Sequence, residues 1–274
     1  MVICIVGLGV IGGSFAKALV GHGYEVYGVD LDETTLAFAK EEGSIIEGYQ
    51  NAADIVPKAD LTIICLYPSQ VLDFLKNNTF KPGSVVTDAV GVKSYFLEQA
   101  LKIVPDDVEY ISVHPMAGRE KRGYAYASKE VFQNANFIIV EHTTNNHETI
   151  LRMQDFARSM GFHSVKIMSP YEHDEIIAFT SQLPHVLAVS LMNSDTQKYK
   201  TGKYIGDSFR DLTRIANINE DLWAELFLNN KYYLLRAING FEKELDIVKN
   251  AIYDDDVDTL KERFVESTKR RIEL

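Results

Sequence analysis

Two short stretches carry residue types at spacings that could do chemistry. The first is Gly7-Leu8-Gly9-Val10-Ile11-Gly12-Gly13-Ser14, which follows the apolar run Val2-Ile3-Cys4-Ile5-Val6 without a gap and leads into the apolar-periodic residues 15–20. A buried strand, a GxGxxG turn and a helix opening on it are the context that dinucleotide binding requires. Gly7 permits the tight turn, Gly9 lets the backbone approach a pyrophosphate, and Gly12 lets helix and strand pack closely. The N–H groups and positive dipole of the helix start, at Leu8, Val10 and Ile11, then face the phosphates. The next apolar run, Glu25-Val26-Tyr27-Gly28-Val29, ends at Asp30, roughly 20 residues beyond the turn, where a carboxylate accepts hydrogen bonds from an adenosine ribose. Asp30 would repel a 2′-phosphate, and Asp32 and Glu33 follow it with no arginine nearby, so the expected cofactor is NAD rather than NADP. The second stretch is His114-Pro115-Met116-Ala117-Gly118-Arg119-Glu120. If residues 109–113 form a strand of the same sheet, His114 stands at its carboxyl end, where a general base for an alcohol would have to sit; a loop histidine satisfied by backbone is the other reading.

The elements that must position these residues alternate. Helical pattern over 33–42 stops at Gly43; 61–66 reads as a buried strand closed by Tyr67-Pro68-Ser69; 84–88 and 109–113 read as two more strands. Residues 137–140 and 164–167 flank a helix over 148–160 that Gly161 stops. Strands alternating with helices predict right-handed βαβ units and a doubly wound parallel sheet of Rossmann type. Ligands of such sheets sit at the carboxyl ends of the strands, just after Val6, Leu66, Asp88 and Val113.

The pattern changes at Ser169-Pro170-Tyr171-Glu172, which has the Ser, Pro and Glu of a capping box. Beyond it the sequence predicts helices only: to about 198 with an interruption at Pro184, then 207–216, a long helix over 219–249 and a last one over 256–272. The expected division is 1–168, a dinucleotide-binding domain, and 169–274, an all-helical domain. Between residues 227 and 252 the apolar positions Phe227, Leu234, Leu235, Ile238, Phe241, Leu245, Val248 and Ile252 fall on more than one helix face, more than one neighbouring layer buries. A two-fold homodimer through the helical domain is therefore expected.

Composition narrows the function classes. A formal charge of −11, from 28 Lys and Arg against 39 Asp and Glu, argues against nucleic acid, whose binding needs clustered cations. The two cysteines, Cys4 and Cys65, lie in apolar strand-like runs and imply no disulfide framework. The first strand begins at Val2, leaving no room for a signal peptide, and no stretch is expected to approach the length of a membrane span. A cytoplasmic enzyme without a membrane partner is the expectation.

Taken together, GxGxxGG, His114-Pro115-Met116-Ala117-Gly118, Ser181-Gln182-Leu183-Pro184-His185 and Phe209-Arg210-Asp211-Leu212-Thr213-Arg214-Ile215-Ala216 followed by Trp223 resemble prephenate dehydrogenase, in order and over essentially the whole chain. The resemblance implies NAD-dependent oxidative decarboxylation of prephenate to 4-hydroxyphenylpyruvate, in tyrosine biosynthesis. It implies that His114 accepts the hydrogen bond from the substrate hydroxyl, that Arg214 binds a prephenate carboxylate with Arg210 beside it, that His185 is a second active-site histidine, and that Glu120 gates the pocket by pairing with such arginines. Trp223 is assigned to the core. Many members carry a serine where Asp88-Ala89-Val90-Gly91-Val92-Lys93 has Gly91, so a water is expected to stand in for that hydroxyl; and the first histidine of an S-H-L-P-H pattern is Gln182. With the chain ending at Leu274, feedback by tyrosine is expected to act at the active site itself. Arogenate dehydrogenase is the enzyme alternative. A β-hydroxy acid dehydrogenase would need a lysine on the first long helix of the second domain, where 170–197 has none. A non-catalytic NAD sensor would need neither His114 nor Arg214.

Overall fold

The computed structural model describes residues 1–118 and 121–273. Eight strands form one sheet: β1 (Val2–Val6), β2 (Glu25–Val29), β3 (Glu47–Tyr49), β4 (Leu61–Ile64), β5 (Val85–Asp88), β6 (Glu109–Met116), β7 (Asn136–Val140) and β8 (Ser164–Met168). Their order is β3-β2-β1-β4-β5-β6-β7-β8. Helices α1 (Val10–Ala18), α2 (Glu33–Glu41), α3 (Pro68–Asn77), α4 (Ser94–Ala100) and α5 (His147–Ser159) connect them. The apolar runs are continuous because both faces of the sheet are covered: Ile3, Ile5, Ile111 and Val113 pack with Phe15 and Phe156 on one side, while Cys4, Val6, Ile64 and Val86 pack with Leu75 and Phe96 on the other. Each such fully buried side chain contributes about 1.5–3 kcal/mol.

The sheet departs from an all-parallel one at β7, which pairs antiparallel with β6 and parallel with β8. Parallel pairing needs a crossover on one face, normally a helix, but the link from β6 to β7 contains, among its described residues, only the 3₁₀ turns Tyr124–Tyr126 and Lys129–Val131. This reversal shapes the site. The β5 pairing with β6 ends at Asp88 with Ser112, whereas β6 runs on beside β7 through His114 to Met116. His114 thus projects beyond the shorter strand, and Pro115 is tolerated where the strand has become an edge. The short strand β3 and the placement of β7 had no counterpart in the sequence reading.

After β8, Ser169 caps α6 (Pro170–Ile177) with the predicted box, its Oγ accepting from Glu172 N at 3.3 Å and its own N–H donating to Glu172 Oε2 at 2.9 Å. A π turn, Ala178–Gln182, joins α6 to α7 (Leu183–Asn193). Pro184 therefore widens the helix instead of interrupting it: its missing N–H and its ring are accommodated where the turn is looser. The helices that follow are α8 (Asp207–Thr213), α9 (Glu220–Asn229), α10 (Lys231–Tyr253) and α11 (Val257–Ile272). The single long helix expected over 219–249 is broken at Asn230, whose buried side chain donates to Asp174 O (2.9 Å) and Gln182 Oε1 (2.8 Å).

The expectation about membrane-span length also needs correction. The continuous helical run Pro170–Asn193 has 24 residues and a mean hydropathy of 1.3 over its most apolar window, enough by length and composition to cross a bilayer. It instead carries the buried pair His173 and Asp174 and packs Ile177 and Ala178 inside the protein.

Candidate active site

A cavity of about 1020 Å³ lies between the carboxyl edge of the sheet and the helices α6, α7 and α9. All four positions singled out at strand ends open on it, through Gly9 to Ile11, Cys65 to Pro68, Ala89 to Gly91 and His114 to Gly118.

The turn after β1 is built as its glycines require. Gly7 has φ of 83°, and a Cβ on Gly12 would stand 1.9 Å from the Gly7 carbonyl oxygen, so neither position admits a side chain without moving backbone. A Cβ on Gly9 would meet nothing within 4 Å; that open side faces the cavity. Gly9 is also the N-cap of α1 and brings no side chain to satisfy the first-turn N–H groups. Leu8 N donates to Asp30 Oδ2 at 2.7 Å, which places the acidic residue against the turn, and Val10 and Ile11 line the cavity beside Gly9. These residues fit a dinucleotide: a backbone cradle for phosphates with a carboxylate at its side.

At the other end, His114 is partly exposed and lines the cavity. Its Nδ1 lies 2.8 Å from His173 Nε2, and His173 Nδ1 lies 2.8 Å from Asp174 Oδ1. His173 and Asp174 are both buried, at 0% and 1% exposure. Asp174 also accepts from Lys93 N (2.8 Å) and Ser94 N (2.7 Å), which fixes the start of α4. Burial alone would raise the Asp174 carboxyl, but the bonds from His173 and Ser94 outweigh it and hold the group below the usual carboxylate range. Burial also pulls both histidines down, His114 well below the ordinary imidazole value with help from His173 and Lys93, so both rings are neutral at pH 7. The tautomers follow. Ionised Asp174 can only accept, so His173 spends its one N–H there; its Nε2 then accepts from His114 Nδ1–H, and the lone pair of His114 is left on Nε2. That nitrogen faces Gly91, where a Cβ would lie 3.6 Å away and 3.4 Å from Leu226 Cδ2. The arrangement is a base whose acceptor nitrogen is oriented by two buried groups behind it, the logic of a catalytic triad.

The remaining sequence candidates separate. His185 lines the cavity, donates from Nδ1 to Ser181 O (2.8 Å) and stacks on Trp223 with ring centroids 3.7 Å apart. Trp223 is thus a cavity wall, not simply core. Gln182 reaches the cavity edge but spends its amide on structure, donating to Leu226 O (3.0 Å) and accepting from Asn230. Arg210 is bound to Asp207 on the surface of α8 (2.9 Å) and does not line the cavity. Arg214 is exposed at the start of the 3₁₀ turn Arg214–Ala216, next to Ile215, which does line it. Glu120 lies outside the described residues. The structure adds cations that the sequence reading missed: Lys121 and Arg122 line the cavity, and Arg122 reaches across to Glu220 of α9 (2.6 Å). Tyr67 accepts from Asn219 (2.6 Å), and Ser69 donates to Glu225 (2.9 Å), so the same mouth is bridged on its other side. His173 and Asp174 sit between the exposed Glu172 and Glu175, and the only sequence signal for them is their spacing of four and three residues before the buried Ile177, which puts them on the inward face of α6.

A Rossmann cleft that ends on an oriented neutral histidine, roofed by helices, defines the class: a dinucleotide-binding dehydrogenase with a helical second domain. Residues 15–166 match the family model described as prephenate dehydrogenase, nucleotide-binding domain, and residues 169–266 the one described as prephenate dehydrogenase, dimerization domain. The chain belongs to the prephenate dehydrogenase family. It is 31% identical to a prephenate dehydrogenase of Lactococcus lactis subsp. cremoris, over 98% of this chain and 76% of the relative. It is 28% identical to a cyclohexadienyl dehydrogenase of Zymomonas mobilis subsp. mobilis, over 99% of this chain and 95% of that one. The crystal structure of prephenate dehydrogenase from Aquifex aeolicus in complex with hydroxyphenyl propionate and NAD+ superposes with a TM-score of 0.90 at 28% identity, covering 100% of this chain and 98% of the other.

Proposed function

We propose that the protein catalyses the NAD-dependent oxidative decarboxylation of prephenate to 4-hydroxyphenylpyruvate, as a cytoplasmic homodimer of tyrosine biosynthesis. The observation that carries this reading is the neutral His114, with its Nε2 lone pair turned into a cavity whose far end is the phosphate turn. Gly7, Leu8, Gly9, Val10, Ile11, Gly12 and Asp30 would hold the cofactor within the domain 1–168. When bound, NAD supplies the acceptor for the hydride on the ring carbon that bears the hydroxyl. The protein's own work is to accept the hydroxyl proton at His114 Nε2, hold two carboxylates and exclude water while carbon dioxide departs and the ring becomes aromatic. His185, stacked on Trp223, would bound the substrate on the helical side, within the domain 169–274. Arg214, beside the cavity-lining Ile215, is the proposed partner of a carboxylate, for which a planar guanidinium suits; Lys121 brings further positive charge to the same cavity, where Arg122 is paired with Glu220. NADH absorbance on mixing the purified protein with NAD and prephenate tests the reading, with arogenate run beside it. Turnover of neither substrate removes the proposal, and turnover of arogenate alone reassigns the substrate, an outcome the similarity to a cyclohexadienyl dehydrogenase makes worth measuring.

Cofactor choice gives a separate expectation. The Asp30 carboxylate is placed to bond a ribose and to repel a 2′-phosphate, so the wild type should use NAD in preference to NADP. In Asp30→Ala, efficiency with NAD should fall about tenfold, the loss of one hydrogen bond to a charged acceptor, while efficiency with NADP holds or rises. Equal wild-type efficiency with the two cofactors would contradict the assignment.

For the homodimer, the support is the exposed apolar surface of the helices: Phe179 (66%), Leu228 (72%), Ile252 (62%) and Phe264 (59%) are uncovered in one chain, on the segment matched by a dimerization-domain model. Light scattering at micromolar concentration should report twice the mass of 30.9 kDa. A monomer at that concentration would remove the idea.

A further inference from the structure

Beneath the cavity floor lies a buried charge that the reaction as described does not use. Lys93 is 0% exposed, and its ammonium meets Asp88 Oδ1 (2.7 Å), Ser112 Oγ (2.8 Å) and the Val113 carbonyl (2.7 Å). Ser112 spends its only hydrogen on Asp88 Oδ2 (2.6 Å), the oxygen that also takes the Tyr110 hydroxyl (2.8 Å). All three neighbours of Lys93 are therefore acceptors, and only the charged ammonium has three N–H bonds to give them. Asp88 Oδ1 accepts from Val90 N as well (2.9 Å), and the main-chain N–H of Lys93 is held by Asp174. The loop 89–92 is thus pinned at both ends, with Gly91 against the acceptor nitrogen of His114. Val113, whose carbonyl the ammonium grips, is the residue immediately before His114.

We infer that Lys93 is a positioning residue for His114: its ammonium ties the loop carrying Gly91 to Ser112 and Val113 of β6, just before the histidine, and so sets the distance between the base and the wall of the substrate site. Stability alone does not account for such a cluster, because a buried ion pair is commonly no more stable than apolar side chains of the same volume. The chain also lacks a side chain at position 91 that could steady His114 from the cavity side, so the orientation has to come from behind, through His173 and Asp174 of α6, and from below, through Lys93 and Asp88. The charged and titratable groups facing Lys93 and His114 are Asp88 from β5, Tyr110 from β6, and His173 and Asp174 from α6.

The inference rests on the reading of His114 as the base, so His114→Asn is run in the same experiment. The test is the double variant K93M/D88N, which removes the clamp, keeps the volumes and leaves no lone buried charge. Its kcat should fall about tenfold or more, as expected when a reacting group is displaced by a fraction of an ångström, with KM for prephenate and calorimetric NAD affinity within about twofold of wild type. Ser112→Ala is the milder partner: it deletes one acceptor of Lys93 without changing any charge, and its kcat should fall several-fold with the same unchanged KM. A purely structural Lys93 would lower the melting temperature and leave kcat on the pH plateau alone. If His114→Asn is inactive while folded K93M/D88N turns over at the wild-type rate on the pH plateau, the positioning role is wrong and the base stands; should the double variant fail to fold, wild-type kcat in Ser112→Ala has the same consequence. If His114→Asn is itself active, the reading of the base fails first.

Discussion

Replacing His114 with Asn should reduce turnover by a factor on the order of 10²–10⁴, the usual contribution of a positioned general base, while KM for prephenate changes little. The amide keeps a hydrogen-bonding shape beside His173 but cannot take the hydroxyl proton. Loss in kcat with KM preserved is the signature of an interaction made in the transition state only. The pH profile supplies an independent readout. The base works only when unprotonated, and burial, the neighbouring His173 and the Lys93 ammonium hold the His114 imidazole well below its ordinary value. The acid limb of wild-type kcat/KM, which reports the free enzyme, should therefore lie well below the ordinary imidazole range, with activity lost as pH falls through the depressed pKa. In His114→Asn that limb should be missing. Wild-type turnover in the variant, or an unchanged acid limb, would end the assignment of His114 as the base.

The second large effect is expected from a residue that touches no substrate. Asp174 accepts three bonds, from His173 Nδ1, Lys93 N and Ser94 N, and in Asp174→Asn the amide nitrogen cannot accept any of them. Where that nitrogen faces a main-chain N–H, a buried donor is orphaned, at a cost of about 1–3 kcal/mol of stability. Where it takes the place of Oδ1, which serves both His173 Nδ1 and Lys93 N, the ring must turn over its tautomer, donate from Nε2 to His114 Nδ1, and leave His114 protonated on Nε2, the side that faces the cavity. The base is then blocked by its own hydrogen. Turnover should fall on the order of 10²-fold, by the same tautomer argument that applies to the aspartate of a serine-protease triad, with KM within a few-fold of wild type. Nitrogen-15 shifts of the two imidazoles give the tautomers directly. A folded variant whose His114 carries its hydrogen on Nε2 and still turns over at the wild-type rate would show that Asp174 only supports the fold.

What the sequence determined by itself was local in origin. The glycine turn between β1 and α1, the acid at the end of β2, the capping box at Ser169 and the alternation of apolar strands with helices are all written in neighbouring residues, since turn chemistry, caps and periodicity act over a few positions. His114 was legible for the same reason: it follows a buried strand, and strand ends in this architecture face the ligand. Tertiary structure decided the rest. The reversal of β7 follows from its being joined to β6 at the same edge of the sheet, Met116 pairing with Asn136, instead of through a crossover, and it is what carries β6 past β5 and exposes His114. At the break, the side chain of Asn230 itself turns inward to the Asp174 carbonyl on α6, a bond between residues 56 apart in the chain. His173, held by Asp174, meets His114 from 59 positions away, and the Lys93 ammonium finds two of its three acceptors 19 and 20 positions away. No local pattern records such bonds. They form because a polar group shut away from water must find a partner inside the protein, and only the folded chain determines which partners are within reach.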